Sequence, residues 1–94
     1  MAYTLYILYS YKDKGLYVGC TSNIKSRVKR HTDGNVPATK YRRPIKLIHT
    51  EIFGDKTTAF NRERFLKSLW GSREKKKIKE NFLKSNVLVA KTKT

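Results

Sequence analysis

One cysteine, Cys20, stands among the 94 residues, so no intrachain disulfide can form, and a single thiol with two scattered histidines does not make a structural zinc site. A reducing compartment, the cytoplasm, is the expectation that follows. No run approaches the roughly 18 consecutive apolar residues of a membrane span. The first apolar stretch, Leu5 to Leu8, is short and carries a tyrosine, so neither a secretory leader nor a transmembrane helix is expected. Acidic residues are also scarce: 7 Asp and Glu face 22 Lys and Arg, for a formal charge of +15.

That charge on so small a chain makes a polyanion the default partner, nucleic acid before an anionic membrane surface, and small acidic ligands alone would not explain it. The excess is spread along the chain, with 10 basic against 2 acidic residues in 1–50 and 12 against 5 in 51–94, so there is no separate basic arm. The sequence is 38% apolar and 12% aromatic, enough for a small core and too much for a disordered basic tail. Its length suits one domain, expected over 1–86, with 87–94 as a flexible tail.

Tyr3 to Tyr9 is almost wholly aromatic, β-branched or aliphatic, which predicts a packed strand. Polar Ser10 to Gly15 separates it from Leu16 to Cys20, predicting an antiparallel hairpin with Thr4, Tyr6 and Leu8 on one face and Tyr17 and Gly19 sharing a face of the second strand. Thr21, Ser22 and Asn23 offer caps for a helix over Ile24 to His31, closed by Asp33-Gly34. On it Ile24, Arg27, Val28 and His31 form one face, so Arg27 and His31 point toward the sheet while Lys25 and Lys29 lie outside. Gly34 to Pro44 reads as loop, with the basic aromatic cluster Tyr41-Arg42-Arg43. A third strand is expected over Ile45 to Phe53 and a helix over Thr57 to Trp70. Gly71 ends that helix, Ser72 can cap the last one, which runs to about Phe82 or slightly beyond, and Lys91 to Thr94 reads as frayed.

Ala59, Glu63, Leu66 and Trp70 share one helical stripe, which sets a carboxylate where the pattern calls for an apolar residue. A metal ion or a buried cation would relieve that conflict; a plainer solution is an edge position paired with Lys67 at i+4. Arg62 lies near the stripe, its stem on apolar surface and its head in water. Arg27 and His31 suit a phosphate, since a guanidinium bonds two oxygens and an imidazole moves a proton near neutral pH, although an ordinary basic helix has the same composition. Tyr6 and Tyr17 fit core or hairpin aromatics as well, and the Tyr17 phenol becomes a usable base only where nearby cations lower its pKa. Cys20 is not a nucleophile candidate, since it falls on the other strand face from Tyr17 and no base is near it in sequence.

Taken together, Thr4-Leu5-Tyr6, Tyr17-Val18-Gly19, Arg27, His31 and Glu63 within Ala59-Phe60-Asn61-Arg62-Glu63 form a pattern that resembles the GIY-YIG nuclease superfamily. The match spans roughly residues 3–80 and most resembles the small stand-alone bacterial members. Thr4 stands where the first motif has glycine, and Lys75-Lys76-Lys77 fill the region where some relatives carry an asparagine. The resemblance implies an α/β (α+β) fold: a three-stranded antiparallel sheet flanked by about three helices. It also implies a phosphodiesterase site in which Tyr17 activates a water, Arg27 neutralises the scissile phosphate, His31 and Tyr6 orient or relay the proton, and Glu63 holds one divalent cation, magnesium or else manganese. Lys25, Lys29, Arg30, Tyr41, Arg42, Arg43 and Lys67 complete the set as nucleic-acid contacts.

Two readings from different classes follow. One is a metal-dependent DNA endonuclease, structure-selective on branched or damaged duplexes, with DNA preferred to RNA and a protein partner supplying the target. The other is a nucleic-acid-binding module without turnover. Both predict affinity that falls about a thousandfold between 50 and 200 mM salt when 6 phosphates are neutralised, so only metal dependence separates them. A basic amphipathic last helix, with Ile78 and Phe82 as its apolar side, could also meet a membrane, but those residues suit packing on the sheet better. A monomer is the default for so charged a chain.

Overall fold

The computed structural model describes residues 2–92, with side chains described as far as Ser85. Strands β1 (Tyr3–Ser10), β2 (Leu16–Thr21) and β3 (Ile45–Phe53) form an antiparallel sheet in the order β2-β1-β3. Helix α1 (Ile24–Thr32) follows β2, and α2 (Lys56–Lys67) and α3 (Ser72–Thr92) follow β3; a short 3-10 turn, Lys40–Arg42, lies in the connection before β3. This is the α+β architecture the sequence implied.

Strand β1 is central and covered on both faces, which is why its sequence is a continuous apolar run rather than an alternation: every residue from Leu5 to Ser10 is buried. One face sends Leu5 and Ile7 against Leu66 of α2, with Leu16, Val18, Cys20, Ile48, Phe53 and Ile78 around them. The other face carries Tyr6 and Leu8, paired across the hairpin with Gly19 and Tyr17, and Tyr6 meets α1 there. Tyr9 packs on Phe82 of α3 with ring centroids 5.5 Å apart, so Ile78 and Phe82 do pack on the sheet. Among the described residues no helix is long and apolar enough to cross a membrane.

Several expectations need correction. Helix α2 stops at Lys67, because Ser68 turns to an extended conformation (ψ 169°) and its amide bonds the Phe65 carbonyl at 3.1 Å. Trp70 therefore leaves the Ala59–Leu66 stripe and stands 84% exposed. Ser72 does not cap α3: its hydroxyl donates back to the Leu69 carbonyl at 2.7 Å. The Arg62 head, read as free in water, is instead paired: its guanidinium bonds Glu51 of β3 at 2.8 and 3.1 Å and Glu74 of α3 at 2.8 Å, tying both helices to the sheet. Helix α3 runs past Phe82 to Thr92. The tail expected over 87–94 lies outside the residues whose side chains are described, and 93–94 lie outside the described residues altogether.

Candidate functional site

The site grows from the β1–β2 pairing. Tyr6 lies opposite Gly19, and a Cβ at that glycine would sit 2.6 Å from the Tyr6 ring carbon Cζ, so only glycine lets the buried phenol lie flat beneath the edge strand. From there the Tyr6 hydroxyl meets α1, whose N-terminus is capped by Asn23 through Ser26 N at 3.2 Å. Arg27 Nε donates to Tyr6 Oη at 3.2 Å, and His31 Nε2 lies 3.1 Å from the same oxygen. His31 Nδ1 then lies 2.7 Å from Thr39 Oγ1 in the loop. The four-residue spacing thus turns Arg27 and His31 onto one buried hydroxyl, as the helical pattern requires. Burial first, then the charges of Arg27 and Arg30, hold the His31 pKa below its usual value, so the imidazole is neutral near pH 7.

Tyr17 is not part of that chain. Its hydroxyl donates to Asp13 Oδ2 at 2.7 Å, and Arg42 Nη1 reaches the same oxygen at 2.8 Å while its guanidinium lies 5.7 Å from the Tyr17 ring centroid. The turn that carries Asp13 is itself fixed, with Gly15 N bonded to Oδ1 at 2.8 Å and Asp13 N bonded to Ser10 Oγ at 3.2 Å. The bond from Tyr17 and the one from Gly15 hold the Asp13 carboxyl well below the carboxylate range. Burial and the Asp13 carboxylate push the Tyr17 phenol up, against the pull of Arg42. The condition for a usable base, a phenol lowered by nearby cations, is not met in this arrangement, because the phenol donates to an anion.

Glu63 approaches from behind β2. Its Oε1 accepts from the Cys20 thiol at 3.0 Å and its Oε2 from Lys67 Nζ at 2.6 Å. The carboxylate on the apolar stripe is thus satisfied by a cation and a thiol, the plainer of the two solutions the spacing allowed. Burial raises its pKa, but the bonds from Lys67 and Cys20 and the charges of Lys67 and Arg27 outweigh it and leave Glu63 below its usual value. Burial and the adjacent carboxylate push the Cys20 thiol up to about 12, which rules it out as a nucleophile near neutral pH.

A cleft of about 480 Å³ wraps the β2 edge and takes its lining from Tyr6, Tyr17, Arg27, His31 and Glu63 together. All five candidate catalytic residues therefore meet in one place. Lys67 and Lys75 join them; Lys75, read in the sequence only as one of a lysine run, enters because the tight turn at Gly71 brings the first turn of α3 beside Glu63. Asp13 and Thr39 were also missed. Asp13 falls four residues before Tyr17 in a hairpin turn, a signal that could have been used, whereas Thr39 has none.

The remaining nucleic-acid candidates spread outward. Arg42 stands at the Tyr17 end of the site. Lys25, Lys29 and Arg30 are exposed on the outer side of α1, with Lys29 paired to Asp33 at 3.0 Å. Tyr41 is 75% exposed under Lys40, and Arg43 is held by the Lys40 carbonyl at 3.1 Å. None of these last five lines the cleft.

Among the described residues no three His, Cys, Asp or Glu side chains gather as a metal cage. Glu63 is one ionised carboxylate beside a cleft suited to phosphate, a donor set that fits magnesium, which keeps most of its waters and shares its shell with phosphate oxygens.

Comparison with known proteins agrees with the geometry. Residues 2–81 match the family model described as the GIY-YIG catalytic domain. The chain is 44% identical over 73 residues to a UPF0213 protein of Natronomonas pharaonis, covering 77% of this chain and 82% of that one. It is 41% identical over 68 residues to the UPF0213 protein YazA of Bacillus subtilis, covering 71% and 67%. The solution NMR structure of a UPF0213 protein from Bacillus halodurans superposes with a TM-score of 0.52 at 31% identity, covering 83% of each chain.

Proposed function

The chain belongs to the GIY-YIG catalytic-domain family, and from that premise we propose that it is a metal-dependent endonuclease hydrolysing phosphodiester bonds in DNA, preferring branched or damaged duplexes. The observation that carries this reading is the meeting of Tyr6, Tyr17, Arg27, His31 and Glu63 in one basic cleft. A phosphodiester entering it meets the Arg27 guanidinium and the Lys75 ammonium, which also lines the cleft, and these cations stabilise charge that grows on the phosphoryl oxygens. Tyr17 orients the attacking water through its oxygen while Asp13 fixes the direction of its proton. Neutral His31, bonded to Tyr6, offers a proton path from the reacting centre. Glu63, once released by Lys67, would hold magnesium, which supplies Lewis-acid stabilisation of the leaving oxygen.

A second reading, a DNA-binding module with little or no turnover, draws support from the same residues: both Glu63 oxygens are engaged and the Tyr17 phenol is raised rather than lowered. A nicking assay on supercoiled plasmid and a branched duplex decides between them, using wild type, Glu63→Ala and Tyr17→Phe purified identically, with magnesium, manganese or EDTA. Cleavage lost in both variants and in EDTA is the expected outcome. Binding without cleavage above the Glu63→Ala background selects the module.

A further inference from the structure

The turn between α2 and α3 leaves two large apolar side chains in solvent, Leu69 at 88% and Trp70 at 84% exposure. The turn beneath them is firmly held. Ser68 bonds the Phe65 carbonyl through its hydroxyl at 2.5 Å and its amide at 3.1 Å, and Gly71 N bonds the Ser68 carbonyl at 3.1 Å. Ser72 adds its amide and hydroxyl to the Leu69 carbonyl at 3.3 and 2.7 Å. Gly71 is pressed against α2 so closely that a Cβ would lie 2.5 Å from Leu66 Cα and against the Phe65 carbonyl. The tip is therefore a preorganised knob.

Its surroundings are cationic. Arg73 lines the same hollow as Leu69 and Trp70. A second hollow beside Arg64 shares Glu63 and Lys67 with the catalytic cleft and extends to Ser68, the residue before Leu69. An exposed indole beside the Arg73 guanidinium matches a base beside its phosphate. An apolar protein partner would instead meet Arg64 and Arg73 as charges with no carboxylate partner among the described residues.

We propose that the Leu69-Trp70 tip is a base-stacking contact for unpaired DNA: a base displaced beside the cleavage point stacks on Trp70 while Arg73 and Arg64 hold its flanking phosphates. This rests on the DNA reading above but involves no turnover, and it gives the site a physical reason to prefer branched or damaged duplexes.

Trp70 is the chain's sole tryptophan, so its emission reports on this contact alone. Oligothymidylate and a blunt duplex of equal length are titrated in EDTA, following tryptophan emission and the anisotropy of labelled DNA, with circular dichroism to verify folding of each variant. Oligothymidylate should quench Trp70. Trp70→Ala should weaken oligothymidylate binding about tenfold and Trp70→Phe less, with blunt-duplex affinity unchanged. Oligothymidylate that fails to bind, that binds without altering the emission, or that binds Trp70→Ala as tightly as wild type overturns the proposal, as does equal weakening for both DNAs. Quenching by an inactive wild type would sink the nuclease reading alone, and cleavage with unquenched Trp70 would sink this one alone.

Discussion

The Tyr17 hydroxyl donates to Asp13 Oδ2 across the β1–β2 turn at 2.7 Å, joining the second-motif tyrosine to an acid four residues before it. The same oxygen takes Arg42 Nη1, so one carboxylate sets both the direction of the phenol and the position of a guanidinium beside it.

Asp13→Asn keeps the shape and removes the charge. The Tyr17 pKa should fall, because the anion that disfavours phenolate is gone, and 13Cζ NMR of labelled tyrosine against a Tyr17→Phe reference reads the shift. If the enzyme cleaves DNA, kcat should drop about a hundredfold through misorientation, with KM nearly unchanged. A variant with wild-type kcat would remove Asp13 from the positioning role.

Lys67 competes for the Glu63 oxygen that a metal would use. Lys67→Ala should cost about 1 kcal/mol, the upper end for an ion pair near the surface, because Lys67 is exposed but Glu63 is half-buried. It should also tighten manganese binding measured by calorimetry on the DNA-free protein. Weaker binding would mean that Lys67 positions Glu63 rather than masking it.

Glycine positions should separate sharply. Gly19→Ala drives a methyl into the buried Tyr6 ring and should cost about 1–3 kcal/mol in urea unfolding. Gly71→Ala meets backbone, which cannot swing aside, and should cost at least as much. Gly54→Ala has open space around it and should change stability by less than about 0.5 kcal/mol. Equal effects at all three would contradict the packing described.

Acid should destabilise the fold in two stages. His31 is depressed from 6.5, so the unfolded chain takes up its proton first; that contribution is complete above pH 6.5 and declines as pH drops toward the lower folded value. Glu51 is depressed from 4.5, chiefly by its hydrogen bonds from Arg62, and Glu63 is depressed from 4.5 because Lys67 and Cys20 outweigh burial. Their contributions are present above pH 4.5 and are lost as pH falls through the folded values. Urea midpoints from about pH 8 to about pH 2 test both, and His31→Asn should flatten the upper stage only. A wild-type midpoint that does not move over that range would be inconsistent with both stages.

The sequence by itself determined the strands, the helix faces and the five motif residues. Hydrophobic periodicity and caps are local properties: Ile45–Phe53 forms as read, and α1 begins after Asn23 and presents Arg27 and His31 inward. Only the tertiary structure decided the partners. Glu63 meets Cys20 across 43 positions and Arg42 meets Asp13 across 29, distances over which no spacing rule operates, so the thiol on Glu63 and the guanidinium beside Tyr17 could not be read in advance, whereas the Lys67 partner of Glu63, at i+4, could. The end of α2 escaped for the same reason: the stripe continued to Trp70, but the backbone contact of Gly71 with the last turn of α2 requires the chain to fold back first, and that turned the sole tryptophan out to solvent.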